Sequence, residues 1–168
     1  MEAIYTLRNF FRALMVLMLF AFSCSEEDDP AGPGVVAEPD PDELLQRVND
    51  ARQEGRSCGD TYYEPAPPVA WNSLLTQAAQ RHADDMEEAQ VLSHEGQDGS
   101  SAGMRIRETG YDWSNYGENV AEAYPTEEAV VKAWLESPGH CRNIMNPAFE
   151  DMGVATSGSY WTQVLGAR

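Results

Sequence analysis

Positive charge is what this sequence has least of. Lys132 is its one lysine, and 11 basic residues stand against 28 acidic ones, for a formal net charge of −17. Binding to a nucleic-acid backbone needs a cationic face, so no nucleic-acid partner is expected. Cysteine and histidine are scarce too, at three each. That excludes a Cys₄ zinc finger and leaves at most one His-rich metal site. Long apolar runs are missing: the stretch Ala13–Phe22 is about half of what a membrane-spanning helix requires. What is there is an apolar share of 42%, enough for an ordinary core in a chain of 168 residues and one domain.

The N-terminal segment reads as an address. Arg8 and Arg12 precede the apolar run, and Ser23-Cys24-Ser25 follows it. A basic flank, a short apolar stretch and small residues are the parts of a signal peptide, here residues 1–23. Cys24 in this place resembles the lipidated cysteine of a bacterial lipobox, although Ala21 stands where such boxes usually carry Leu. Ordinary signal cleavage with Cys24 incidental is the alternative. Residues 25–43 then hold eight acids, four prolines and no base. Such a stretch buries too little area to offset its ordering entropy, so 24–40 is expected to be a solvated tether. An exported lipoprotein at the cell envelope or surface follows, touching the membrane through its lipid alone; secretion is the alternative.

The folded part is expected over 41–168. Asp40, Pro41 and Glu43 have the form of an N-cap, a first-turn proline and a capping-box acid. Leu44, Leu45, Val48 and Ala51 repeat at helical spacing until Gly55. A second helix starts near Asn72 with the stripe Leu74, Leu75, Ala78, Ala79, His82, Ala83 and Met86. A short helix spans Ala102–Glu108, and Thr126 caps another whose inner face is Val130, Val131 and Trp134. Strands are expected at Asn119-Val120-Ala121 and as a hairpin of Met152–Thr156 and Tyr160–Leu165 across Ser157-Gly158. Helices and strands mix without regular βαβ alternation, which argues for the α+β class.

With Cys24 set aside, Cys58 and Cys141 remain. In an exported chain these are expected to be bonded, closing a loop worth roughly 4 kcal/mol on the chain-entropy model; free buried thiols are the alternative. Gly99-Ser100-Ser101-Ala102-Gly103 satisfies G-x-S-x-G, but the polar residues before it do not form the buried strand that a nucleophile elbow requires. His94-Glu95 starts like H-E-x-x-H and lacks the second histidine. His82 lies on a buried stripe and reads as a hydrogen-bonded core residue. His94, His140, Glu118 and Glu136 sit in polar or Gly-flanked segments, where each alone could be an ordinary surface residue.

Their order carries more. Trp71-Asn72, Ser93-His94, Gly117-Glu118-Asn119-Val120, Trp134, Ser137-Pro138-Gly139-His140 and Met152-Gly153-Val154 follow one another in a sequence that resembles the CAP superfamily. That group holds cysteine-rich secretory proteins, venom antigens and pathogenesis-related proteins, and its bacterial extracellular branch matches best, over about 41–168. The resemblance implies a three-layer α-β-α sandwich. It also implies a cleft in which His94 is the first histidine, Glu118 the acid of the Gly-Glu-Asn motif and His140 the second histidine. Glu136 is the candidate fourth member. It follows Trp134 by two residues, where animal members place a glutamate three residues after the tryptophan.

Two imidazoles, His94 and His140, could hold Zn²⁺ or another divalent cation, with Glu118 orienting a ring or polarising water. A glutamate acting as general base would make such a cleft a hydrolase of the peptidase kind. The absence of a full triad or of a complete zinc-ligand set favours a binder of a small ligand, lipid or peptide. A cell-surface adhesion module using the acidic face is the third reading.

Overall fold

Asp40 accepts the amide hydrogen bonds of Asp42 and Glu43 and so starts α1, Pro41–Gln53, with Pro41 in the first turn. The computed structural model describes residues 38–168; the expected signal peptide, Cys24 and all but the last residues of the expected tether lie outside the described residues. After α1 come a small hairpin, β1 (Arg56–Cys58) and β2 (Thr61–Tyr63), and a two-residue strand, β3 (Ala70–Trp71). Asn72 caps α2, Ser73–Ala89, by accepting from the Leu74 amide. The short helix α3 spans Ala102–Glu108 and β4 spans Asn115–Glu122. Thr126 caps α4, Glu127–Glu136; α5, Pro138–Met145, follows directly. The chain closes with the hairpin β5 (Asp151–Ser157) and β6 (Tyr160–Ala167).

Four strands form the central sheet in the order β3-β5-β6-β4. β5 and β6 pair antiparallel, β4 joins β6 antiparallel, and β3 lies parallel to β5. One face packs on α1, α4 and α5 through Leu44, Val48, Val131, Trp134, Ile144, Met152, Trp161 and Leu165. The other packs on α2 and α3 through Leu75, Ala78, Ala79, Ile106, Ala155 and Val164. The result is the expected α-β-α sandwich, with β4 at one edge. Gly153 sets the spacing of one layer: a Cβ there would collide with the Thr76 backbone nitrogen, so α2 lies directly on β5.

Two elements are additional to the expected ones. His140 belongs to a helix, α5, whose first residues are Pro138 and Gly139. Between α1 and α2, β1 and β2 form a two-stranded sheet of their own. That hairpin is fastened to α5 by the Cys58–Cys141 disulfide, with Cα atoms 5.5 Å apart. Both cysteines are buried, so the bond is structural. Beside it Arg52, fully buried, has no carboxylate partner among the described residues. Its guanidinium donates to the carbonyls of Pro67, Ile144, Asn146 and Phe149, tying α1 to both ends of the segment after α5. Burial lowers its pKa to about 10.

Candidate functional site

The site begins where α2 ends. Gln90 takes a left-handed conformation (φ 53°) and the Val91 amide returns to the Met86 carbonyl, so the chain leaves the helix as a strap bearing Leu92, Ser93 and His94. Two buried groups hold the strap. His82 donates through Nε2 to the Ser93 carbonyl at 2.7 Å. Arg105 donates to the carbonyls of His94 (3.1 Å) and Ser100 (2.7 Å).

The same guanidinium meets Glu118, whose side chain is 4% exposed, at 2.7 Å. Glu118 gives its second oxygen to Nδ1 of His94 at 2.9 Å, and the His82 ring lies 3.7 Å from that oxygen. His94 itself is 61% exposed. A buried cation, a buried carboxylate and an exposed imidazole therefore form a line from the core to solvent. The Glu118 hydrogen bond raises the His94 pKa above its ordinary value, against the pull of partial burial. His82 goes the other way, because burial dominates. Its Nε2 must carry the hydrogen given to a carbonyl, which leaves Nδ1 buried without a partner and favours the neutral ring.

His140 comes from the opposite layer. Neutral amides hold α5 against β4: Asn143 donates to the Glu118 carbonyl (3.0 Å) and to Asn119 Oδ1 (2.8 Å), and Asn119 donates to Gln163 (2.8 Å) and the His140 carbonyl (3.3 Å). Gly117 permits this contact, since a Cβ there would lie 3.0 Å from the Phe149 ring and 3.3 Å from Asn143. Burial lowers the His140 pKa, and the charge of His94 lowers it further. Beside His140 runs a groove of about 350 Å³ lined by Leu92, Val120, Ala121, Glu122, Tyr124, Trp134 and His140, among others, and His94 follows Leu92 by two residues on the strap.

His94, Glu118 and His140 are thus gathered around one edge of the sheet. Glu136 is not gathered with them. Its carboxylate is 68% exposed, lies 3.9 Å from Lys132 and lines a different groove with Arg47 and Arg56. The reason is the two-residue offset from Trp134: with Trp134 buried in the core, Glu136 lies about 200° further round the helix. Sequence reasoning missed Arg105, Asn119 and Asn143. Arg105 had one available signal, an arginine on the short α3 beside the apolar Ile106.

A zinc centre normally takes at least three protein ligands. Among the described residues no group of three or more His, Cys, Asp or Glu side chains is arranged to hold a metal. His140 lines the groove, His94 Nδ1 is bonded to Glu118, and both Glu118 oxygens are engaged. This donor set does not fit a resident zinc ion.

The cysteine-rich secretory protein (CAP) family model matches residues 45–165. The chain belongs to the CAP family. Among curated sequences the CAP domain here is 36% identical over 98 residues to the uncharacterised protein YkwD of Bacillus subtilis (strain 168), a match covering 57% of this chain and 38% of that protein. The YlbC membrane protein of the same strain is 32% identical over 95 residues, 56% of this chain and 28% of that one. The alignments thus span about a third of each relative's length. Among solved structures, an extracellular SCP-domain protein of Bacillus anthracis superposes with a TM-score of 0.63 at 25% identity, over 76% of this chain and 41% of that one. An outer surface protein of Borrelia burgdorferi shares the fold with a TM-score of 0.64 at 19% identity, over 80% and 99%. These structural neighbours are extracellular or surface proteins. Among the described residues no helix of the CAP protein is long and apolar enough to cross a membrane.

Proposed function

We propose that this CAP protein is exported, is held at the cell envelope by a lipid on Cys24, and works by binding a ligand in the cleft between His94 and His140. One observation carries the reading. The Glu118 carboxylate is fully committed, to Arg105 on one oxygen and His94 on the other, beside a groove that is open and partly apolar. A committed carboxylate orients His94 and supports its charge; it is not free to take a proton from water, so the hydrolase reading loses its base. The His94 ring, its Nδ1 engaged, is left with Nε2 as the donor for an anionic or carbonyl group of the ligand. Leu92, Tyr124 and Trp134 offer apolar surface to the rest of it.

The test is a panel of short peptides, fatty acids and small polar fragments added to the isotope-labelled full chain. Resonances of Leu92, Trp134 and His140 are expected to move with at least one class, and His94→Ala and His140→Ala each to weaken that binding about tenfold. A cleft that responds to no class overturns the reading. Separately, Cys24→Ser is expected to release the protein from membranes; retention there would remove the lipid anchor from the account.

A further inference from the structure

The groove has a property that its side chains do not reveal: its floor is the free edge of a β-sheet. In an antiparallel pair every second residue exchanges both main-chain hydrogen bonds with its neighbour, and the residues between point theirs away. Among the described residues β4 has only β6 beside it. The Ala123 amide donates to the carbonyl of Ser159, which lies opposite it in the same register that pairs Ala121 with Trp161 and Asn119 with Gln163. Odd-numbered residues of β4 therefore face β6, and the N–H and C=O groups of Glu118, Val120 and Glu122 face outward. Asn143 confirms the parity, since it reaches the Glu118 carbonyl from outside the sheet.

Asn143 covers that one carbonyl. Among the described residues no hydrogen bond from outside the sheet reaches the main chain of Val120 or Glu122, and both residues line the groove. Exposed edges are ordinarily blunted, because they template pairing with another chain. This one is recessed between the Leu92 strap on one side and Trp134, Ser137 and His140 on the other, where a single extended segment can enter.

We propose that the cleft binds an extended peptide as a fifth strand, antiparallel on the outer edge of β4, with its C-terminal carboxylate at His94 and His140. This deepens the ligand-binding reading and rests on it. The direction follows from charge. The histidines stand beside Glu118–Val120, early in β4, and the Glu122 carboxylate stands at its end. A peptide running from Glu122 toward Glu118 sets its amino end against an acid and its carboxylate against two imidazoles. Size favours a peptide over a lipid chain: about 350 Å³ accepts one or two apolar side chains beside the main-chain ladder, at the low end for a small-molecule pocket. Main-chain bonds at Val120 and Glu122 supply affinity, and Leu92, Tyr124 and Trp134 select the side chain that points inward.

The probe is a bead library of random octapeptides with free C termini, presented to the full chain. Each enriched sequence is then made with one N-methyl group at each position in turn. Methylation at alternate positions is expected to weaken binding at least tenfold, and at the positions between by less than twofold. Bound peptide slows hydrogen exchange at the Val120 and Glu122 amides and leaves Ala121 unchanged. C-terminal amidation weakens binding several-fold in the native chain and has a smaller effect in His94→Ala.

Val120→Pro removes an outward donor without costing a ladder bond and repeats the tenfold loss. The methylation series keeps the test valid if that variant does not fold. A library with no enriched member, a uniform methylation profile or unchanged Val120 exchange overturns the proposal. So does slowed Val120 exchange that rises with protein concentration alone, because the edge would then belong to a second copy. If fatty acids or polar fragments move the cleft resonances while no octapeptide binds, ligand binding stands and strand addition falls.

Discussion

His94 hangs from a strap wired to a buried ion pair, whereas His140 rides on a helix fixed by neutral amides and a disulfide. The two layers of the sandwich thus bring a histidine each to the same edge strand, β4, by different physics. On the α2 side, charge is carried inward from His94 through Glu118 to Arg105, and the pKa of His94 rises. On the α5 side, Asn119 and Asn143 make hydrogen bonds that carry no net charge, and the pKa of His140 falls. This division makes His94 the more readily protonated of the two imidazoles.

The charged side is expected to break most severely. Arg105→Met leaves the Glu118 carboxylate buried without its cation and should cost about 3–5 kcal/mol. Urea unfolding measures it, and a loss below about 1 kcal/mol would mean that the ion pair does not hold the strap. On the neutral side, replacing Cys58 and Cys141 with Ser together opens the loop between residues 83 apart, at a cost of roughly 4 kcal/mol. The same variant should broaden the His140 resonances and leave those of His94 sharp; equal broadening would show that the two layers are not independent. Asn143→Ala removes two hydrogen bonds that join α5 to β4 and is expected to cost about 1–3 kcal/mol by the same assay.

Acid has a smaller and directional effect. His82 is depressed in the fold, so its contribution is complete above the unfolded value near 6.5 and is lost as pH falls below it. His94 has the opposite sign: it stabilises below that value and loses the contribution as pH rises through its raised folded pKa. Because His82 is fully buried and His94 mostly solvated, His82 dominates. The urea midpoint should fall between pH 7.5 and pH 5.5, and fall less in His82→Gln. A midpoint that rises on acidification would contradict the assignment.

Much of this frame was legible in the residues, and the reasons are local. Asp40, Asn72 and Thr126 each cap a helix where the sequence places one, and the β5–β6 hairpin forms as expected, although it turns at Gly158-Ser159, one residue later than the expected Ser157-Gly158. Local signals failed where elements are short. β3 has two residues, and β1 and β2 have three each, too few to establish alternation. α5 has eight residues opening on Pro138-Gly139, and Ser137 makes no side-chain cap bond, so no stripe or cap announces it. His94, Glu118 and His140 were found through their order along the chain. Arg52 and Arg105 could not be found that way, because a buried arginine depends on acceptors brought from distant segments: Pro67 and Phe149 for one, Glu118 and His94 for the other. Glu136 shows the limit of motif order, where an offset of one position turns a candidate ligand to solvent.

That His94 and His140 belong to one site is the central claim, and a proton titration of the two rings by NMR in the full chain tests it most directly. His94 should titrate above the ordinary value and His140 below it, and His94→Ala should move His140 upward by removing the neighbouring charge. If His140 titrates unchanged in that variant, the two histidines do not share a cleft.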